Sequence, residues 1–237
     1  MTRHYEGKFA LVTGSRRGVG RLIAEHLLIH GARVAGFARG ESTIDHPDYA
    51  HFQVDIGDPE SVLAGFSALR KITDSVQIVV NNAAVLTSQY AMIMPPEAAQ
   101  AMLNTNLLGA FMVSREASKM MRKTRWGRIV NISSMAVSLE PVGDSVYAAS
   151  KAGLSTLANV MAKELAPLNV TCNTLAVSAI RTDMLAQLPQ EKIASVIAGL
   201  PIPRFAEPAD IFNALDFFTS ESSSYITAQT IYLGGVN

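Results

Sequence analysis

Short apolar runs alternate with longer amphipathic stretches along this chain of 237 residues. The apolar runs that predict strands are 9–12, 33–37, 51–54, 76–80, 128–132, 170–175 and 230–233. After the first run, Val19, Leu22, Ile23 and Leu27 recur at helical steps, and Gly31 is placed to end that helix. Strands separated by helices predict an α/β protein with a doubly wound, parallel sheet of seven strands and helices on both faces.

Composition narrows the possible classes of protein. Apolar residues make up 49% of the chain, and no linker rich in proline, glycine or serine divides it, so we expect one domain, 1–237, with a large core. The formal net charge is zero, which gives no general reason to bind nucleic acid or an anionic membrane. Residues 1–5 are polar and no apolar run is long enough to span a bilayer, so we expect no signal peptide, no membrane partner and a cytoplasmic location.

Side chains that bind metals or form disulfides are sparse. The single cysteine, Cys172, excludes an internal disulfide, and its strand-like setting favours a buried, small hydrophobic role. The five histidines lack the paired spacing of metal ligands, so we expect no metal site.

Tyr147 and Lys151 stand four residues apart in a helical stretch and therefore share one helix face. A nearby cation favours the phenolate, so we expect Lys151 to lower the pKa of Tyr147 from its ordinary value of about 10. A phenol tuned in this way can exchange a proton with an alcohol or ketone oxygen. Ser134 ends the fifth predicted strand, and ligands bind beyond the carboxyl ends of parallel strands. The three side chains predict a site of proton transfer at that edge.

A glycine-rich turn follows the first predicted strand, with Gly14, Gly18 and Gly20 ahead of an amphipathic helix. Without Cβ atoms the backbone can turn tightly and bring its N–H groups and the helix N-terminus against a pyrophosphate. The alternative is a tight strand-to-helix turn that holds no ligand.

Several short motifs occur in order along the chain. They are Thr13-Gly14-x-x-x-Gly18-x-Gly20, Val54-Asp55-Ile56, Asn81-Asn82-Ala83, Asn104-Thr105-Asn106, Ile132-Ser133-Ser134, Tyr147-x-x-x-Lys151, Thr182-Asp183-Met184 and Gly234-Gly235. With these motifs the chain resembles the short-chain dehydrogenase/reductase family over essentially its whole length, and most of all the 3-oxoacyl-[acyl-carrier-protein] reductases. The resemblance implies a single-domain Rossmann fold and an NADP-dependent oxidoreductase.

The resemblance also implies four catalytic residues. Ser134 would hydrogen-bond the substrate carbonyl, Tyr147 would donate the proton, and Lys151 would hold the nicotinamide ribose and lower the tyrosine pKa. Asn106 would complete a water-linked proton relay to Lys151. Without the resemblance, the sequence favours a structural role for Asn106, as a polar residue that kinks a long helix. Ser133 is interpreted as structural.

The end of the second strand lacks the carboxylate that an NAD site would place against the ribose 2′-hydroxyl. Ala38 stands there, and Arg39 and Arg17 could clamp a 2′-phosphate, so we expect NADP(H). The cofactor contacts implied by the resemblance are Gly14, Ser15, Arg16, Arg17, Gly18, Val19, Gly20, Ala38, Arg39, Asp55, Ile56, Asn82, Ala83, Ala84, Tyr147, Lys151, Ile180 and Thr182.

The chain departs from the family pattern at two places. Val177-Ser178 replaces the usual Pro-Gly after the sixth strand, so the turn beneath the nicotinamide must be made differently. Ala84 replaces a glycine, which we expect to narrow the pocket.

Substrate contacts are expected from Ser134, Met94 and Met184, under a substrate lid at 182–207. The apolar residues of this lid suit an acyl chain or another hydrophobic ketone, although they could equally pack on the core. A basic cluster lies just before the fifth strand, near the expected approach to the active site. Within it, Arg125 and Arg128 would dock an acidic acyl carrier protein, although a second docking arginine of the family has no counterpart.

These observations predict an NADPH-dependent reductase of a 3-oxoacyl thioester on an acyl carrier protein, in fatty-acid or polyketide biosynthesis. The alternative substrate is a free small-molecule ketone, a sugar, a steroid or an acyl-CoA. A third interpretation is a non-catalytic protein that senses NADP. The family pattern implies a homotetramer, with a dimer possible.

Overall fold

The computed structural model describes residues 4–181 and 190–236. Its strands are β1 (Phe9–Thr13), β2 (Arg33–Ala38), β3 (Tyr49–Gln53), β4 (Ile78–Asn81), β5 (Gly127–Ser134), β6 (Val170–Val177) and β7 (Thr230–Tyr232). All pair in parallel in one sheet, in the order β3-β2-β1-β4-β5-β6-β7. The predicted seven-stranded parallel sheet is therefore confirmed.

Helices lie between the strands as the periodicity predicts. They are α1 (Gly18–Ile29), α2 (Pro59–Leu69), α3 (Pro96–Leu103), α4 (Ala110–Thr124), α5 (Ala136–Leu139), α6 (Ser145–Leu165), α7 (Gln190–Ala198) and α8 (Pro208–Thr219). A π-helical turn, Asn104–Gly109, joins α3 to α4. Gly31 follows the end of α1 with φ of 96°, a conformation that favours glycine and ends the helix where predicted.

Two apolar layers hold the helices against the sheet. Successive residues of a strand point to opposite faces, so Phe9 and Leu11 of β1 join one cluster while Ala10 and Val12 join the other. The first cluster packs β1 against α2, α4 and α6, and the second packs it against α1 and α8. The sheet is thus buried on both faces, which explains its continuous apolar strands.

The strand order reverses between β1 and β4, and the loops that leave these strands are joined there. The N–H groups of Asn82 and Ala83 both donate to Thr13 Oγ1 at 3.0 Å. Asn82 Nδ2 donates to the Thr13 carbonyl, also at 3.0 Å. A reversal of this kind opens a crevice at the carboxyl edge of the sheet, where ligands bind in doubly wound folds.

Cys172 is buried in β6, and burial raises the pKa of its thiol to about 12. The thiol is therefore unreactive, as its setting predicts. Within the part of the chain that the structure describes, no three His, Cys, Asp or Glu side chains group closely enough to hold a metal ion. None of the described helices has the length and hydropathy needed to cross a bilayer.

Candidate active site

A cleft of about 560 Å³ opens at the carboxyl edge of the sheet. Its walls come from the glycine turn after β1, from the loops after β2, β3 and β4, from β5 and α6, and from α7. Most of the side chains singled out in the sequence meet here, although they come from distant parts of the chain. The cleft therefore lies at the edge of the sheet where the sequence predicts the site.

The glycine turn brings the first and fourth loops into direct contact. Gly14 has φ of 67°, and a Cβ on it would lie 2.9 Å from Ala83 Cα. A Cβ on Gly20 would lie 2.3 Å from both Asn82 Nδ2 and the Gly14 carbonyl oxygen. Only glycine allows this close approach. Since no side chain caps the N-terminus of α1, its first N–H groups remain suited to a phosphate.

Two predicted cofactor residues do not line the cleft. Ser15 is fully buried, and its hydroxyl is 2.9 Å from the hydroxyl of Tyr49 on β3. Gly20 instead provides the close packing beneath the turn. Both residues support the loop from below, and their contacts with a cofactor stay a prediction.

The opposite end of the cleft is strongly basic. Arg16, Arg17 and Arg39 line it together. Arg16 lies over Gly40, because a Cβ on that glycine would be 3.0 Å from Arg16 Nε. The remaining predicted contacts on this side also line the cleft; they are Gly14, Gly18, Val19, Ala38, Asp55, Ile56, Asn82, Ala83 and Ala84. Asp55 is held in place because its Oδ1 accepts from the Gly57 N–H at 2.9 Å.

Helix α6 and strand β5 present the three catalytic candidates to the cleft. Tyr147 and Lys151 lie on one face of α6 and are only 8% and 3% exposed. Lys151 Nζ donates to the Ile132 carbonyl at 2.8 Å and lies 5.9 Å from the centre of the Tyr147 ring. Ser134 Oγ accepts from the Ala136 N–H at 3.1 Å, which fixes the hydroxyl at the end of β5. The shared face predicted from the spacing is confirmed.

The predicted lowering of the tyrosine pKa is wrong for the protein's own groups. Burial raises the pKa of Tyr147 above its ordinary value; a hydrogen bond with Ser134 acts to lower it, and the charge of Asp144 acts to raise it. Burial also lowers the pKa of Lys151 to about 8. The ammonium is therefore itself destabilised by its surroundings, while the phenol of Tyr147 keeps its proton at neutral pH.

Asn106 lies in the π-helical turn, outside the cleft wall. Its Oδ1 accepts from the Val85 N–H at 2.8 Å, and its Nδ2 donates to the Val85 carbonyl and to Ser150 Oγ, both at 3.0 Å. The polar side chain thus coincides with a distorted helix, as one interpretation predicts, and it holds the cleft residue Val85. The proton relay to Lys151 stays a prediction.

The chain leaves β6 without a proline or glycine turn. The Val177 carbonyl accepts from the Met135 N–H at 3.0 Å. Three residues after Val177, Ile180 forms a parallel bridge to Ala206. Ser178 has no positive φ, so the backbone stays in a range that ordinary residues adopt. Ile180 lines the cleft as predicted, and Thr182 lies outside the described residues.

Part of the predicted lid borders the cleft. Ile193 and Val196 of α7 line it, whereas Met184 lies outside the described residues. Met94 packs instead with Met102 and Tyr147 in a small apolar cluster and does not line the cleft. Met94 as a substrate contact stays a prediction.

The predicted carrier-docking arginines differ sharply in exposure. Arg128 is fully buried in β5, where its Nη1 donates to the Gly127 carbonyl at 2.9 Å and its guanidinium lies 4.3 Å from the centre of the Trp126 ring. A docking role for Arg128 is wrong because the side chain cannot reach a partner. Arg125 is exposed, but it precedes the first residue of β5 and so lies at the opposite sheet edge from Ser134. The prediction that Arg125 lies near the approach to the active site of its own chain is therefore wrong.

One acidic residue of the cleft, Asp144, was not predicted from the sequence. It lines the cleft, is 6% exposed and lies three residues before Tyr147. The sequence did contain a signal for Asp144: an acid three residues before a candidate tyrosine is its neighbour on a helix.

Fold and site together define a Rossmann-type protein with a nucleotide-shaped cleft and a Ser-Tyr-Lys group at one end. A sequence profile of the short chain dehydrogenase family matches residues 8–193. The chain belongs to that family and is an oxidoreductase acting on alcohols or ketones, which its relatives convert with a nicotinamide cofactor.

Named relatives cover almost the whole chain. It is 36% identical to the 3-oxoacyl-[acyl-carrier-protein] reductase FabG of Vibrio cholerae, over 97% of each chain. The FabG protein of Escherichia coli is 35% identical, over 98% of each chain. Among solved structures, a proposed gluconate dehydrogenase from Agrobacterium tumefaciens superimposes with a TM-score of 0.90 at 29% identity, covering 99% of this chain and 97% of that one.

Proposed function

We propose that this protein is an NADPH-dependent ketone reductase whose substrate is a 3-oxoacyl thioester on an acyl carrier protein. The observation that carries this proposal is the convergence of Ser134, Tyr147 and Lys151 at one end of a single cleft whose other end is basic. The relatives named as 3-oxoacyl-[acyl-carrier-protein] reductases support the thioester and a place in fatty-acid biosynthesis or a related polyketide-type pathway.

The residues of the cleft support binding of a dinucleotide with a 2′-phosphate. The uncapped N-terminus of α1 and the close approach at Gly14 suit the pyrophosphate. Arg16, Arg17 and Arg39 supply guanidinium groups at the end where the phosphate would lie. Asp55 is the only acid that lines this end within the described residues. It follows β3 rather than β2, so it does not take the place of the missing carboxylate.

Each catalytic side chain has a chemical task in this proposal. When bound, NADPH supplies the hydride that the ketone carbon accepts. Ser134 donates a hydrogen bond to the ketone oxygen, and Tyr147 transfers its phenolic proton to that oxygen. A raised tyrosine pKa suits this direction, because the donor starts protonated at neutral pH. Lys151 stabilises the phenolate that forms and restores its proton.

The proposal is tested by following reduced nicotinamide while a 3-oxoacyl thioester is offered on its carrier protein and on a pantetheine mimic. We expect turnover with NADPH to exceed turnover with NADH. Tyr147→Phe should lower kcat by at least about 1,000-fold, because the proton donor is lost, while NADPH binding persists.

Tyr225→Phe is the matched control, because Tyr225 is 98% exposed and does not line the cleft. The same loss of a hydroxyl there should leave kcat unchanged. Undiminished turnover by Tyr147→Phe would refute the assigned proton donor, and no turnover by the wild type on any ketone would favour the NADP-sensing protein.

A second candidate function is reduction of a free small ketone. Two observations favour it: Arg128 is buried and cannot dock a carrier, and the substrate end of the cleft holds the acid Asp144. Equal rates on the carrier-bound and pantetheine substrates would select this candidate, whereas much faster turnover on the carrier would select the first.

A further inference from the structure

Asp144 has a buried carboxylate oxygen with no partner. The residue is 6% exposed, and its Oδ1 makes no hydrogen bond within the described residues. Asp144 occupies the N-cap of α6, where an aspartate ordinarily accepts from a backbone N–H of the first turn, but its side chain makes no capping bond. A structural role as a helix cap therefore does not account for this side chain.

The surroundings of Asp144 point to a ligand. It lines the cleft one helical turn before Tyr147, beside Leu139 and Pro141. Among the described residues that line the substrate end, Asp144 is the only acid, and Lys151 the only base. Ligand pockets of this kind are lined mainly by apolar side chains, and a few placed polar groups fix the orientation of the ligand.

Asp144 also borders a second cavity of about 540 Å³, lined by Tyr90, Glu140 and Val142 among others. Residues three apart on a helix are neighbours, and the charge of Asp144 acts on the phenol of Tyr147. A substrate whose ketone lies at Tyr147 therefore brings the atoms next to its reacting carbon toward the Asp144 carboxylate.

We propose that Asp144 is a specificity-determining residue, whose carboxylate accepts a hydrogen bond from a hydroxyl group on the carbon next to the substrate ketone. The inference rests on the proposed ketone reduction at Tyr147 and is independent of the thioester. A substrate with this hydroxyl gives the buried carboxylate a partner, whereas one without it leaves the carboxylate desolvated and unpaired. Sites built to bind a hydroxyl reject analogues that lack it far more strongly than apolar pockets reject an extra group.

The test compares two ketones that differ in one group, 1-hydroxyoctan-2-one and nonan-3-one, in which a methyl replaces the hydroxyl. For the wild type we expect kcat/KM to favour the hydroxyketone by at least about tenfold, which corresponds to ~1.4 kcal/mol. Asp144→Ala should abolish this preference, and Asp144→Asn should retain part of it because the amide oxygen still accepts. A merely structural role would slow both ketones equally and leave their ratio unchanged.

Glu140→Gln is the matched control. Glu140 is an exposed acid in the same loop that borders the second cavity but not the cleft. The same preference in wild type and Asp144→Ala would overturn the proposal, as would its loss in Glu140→Gln alone.

Binding separates this inference from the proposed function. Saturation-transfer NMR of the two ketones, with NADP⁺ present, reports the preference without turnover. A wild type that favours the hydroxyketone in binding but reduces neither ketone nor the 3-oxoacyl thioesters would refute the proposed function and uphold the role of Asp144. Turnover of both ketones with equal binding would uphold the proposed function and refute the role of Asp144.

Discussion

Lys151 is an ammonium held in a fully enclosed position, with one hydrogen bond to the Ile132 carbonyl. Burial lowers its pKa from 10.5 to about 8. Below pH 8 the lysine is protonated in both the folded and the unfolded chain, so the folded state carries the full cost of a buried charge, about 3 kcal/mol. Between pH 8 and 10.5 only the unfolded chain holds the proton, so stability rises with pH across this window.

We therefore predict that Lys151→Met, measured without nucleotide, is more stable than the wild type at pH 7 by up to about 3 kcal/mol, although it is inactive. The difference should shrink as pH rises above 8, because the wild type recovers the cost of burial. Urea denaturation at pH 7, 8.5 and 9.5 measures it. Lys163→Met is the control, because Lys163 is exposed in the last turn of the same helix. A difference in free energy of unfolding between Lys151→Met and the wild type that does not change with pH would contradict the prediction.

Single residues show where sequence reasoning succeeds and where it stops. The shared face of Tyr147 and Lys151 could be predicted because helix geometry fixes it from spacing alone. The direction of the tyrosine pKa could not, since it depends on burial and on the charge of Asp144. Arg128 looks like a member of a surface basic cluster, yet it is fully buried, because it lies in β5, a central strand of a sheet that is covered on both faces.

At the scale of elements, the π-helical turn Asn104–Gly109 connects two helices and supports the cleft. Such turns are rare and frequently accompany functional sites. Asn106 ties this turn to Val85 through two hydrogen bonds and to Ser150 through a third. The strands follow from apolar runs, but this turn has no periodic signal, because its geometry depends on a partner more than twenty residues away.

We predict that Asn106→Ala lowers the free energy of unfolding by about 3 kcal/mol, because the substitution leaves buried polar groups of Val85 unpaired. KM for the ketone should rise as well, since Val85 lines the cleft. Urea denaturation and steady-state kinetics measure the two effects. Asn104→Ala is the control on the same turn. Among the described residues, the Asn104 side chain accepts a hydrogen bond from Gln100 at the surface, so this variant should lower the free energy of unfolding by less than about 1 kcal/mol. Equal costs for the two variants would show that Asn106 does not hold the turn.

At the scale of the molecule, opposite edges of the sheet separate two groups that the sequence places close together. Arg125 and Ser134 are nine positions apart, but β5 runs between them and carries Ser134 to the carboxyl edge. A carrier docked on Arg125 would thus lie roughly 25 Å from the catalytic end of the same chain, at about 3.3 Å per strand residue. Strand direction alone could have predicted this separation.

Apolar side chains are exposed at several places on the described surface, and two groups of them lie on or next to helices of the second half of the sheet. The α4 patch consists of Leu103, Leu108 and Phe111, which are 38%, 41% and 38% exposed. The α8 patch consists of Phe217 and Tyr225, which are 46% and 98% exposed. Exposed apolar side chains that lie near one another can mark association sites in soluble proteins. Two distinct patches on one chain can each form a two-fold interface, and two such interfaces generate a tetramer.

We predict that the protein is a homotetramer in solution and that Phe111→Glu converts it to a dimer, because a charge in the α4 patch opposes burial there while the α8 patch still pairs. Sedimentation velocity measures the mass of each species. Leu63→Glu is the control, since Leu63 is 44% exposed on α2, outside both patches, and the variant should keep the wild-type mass. A monomeric wild type would refute the prediction outright. A Phe111→Glu variant that stays tetrameric would instead exclude the α4 patch from the assembly and require another surface for the second interface.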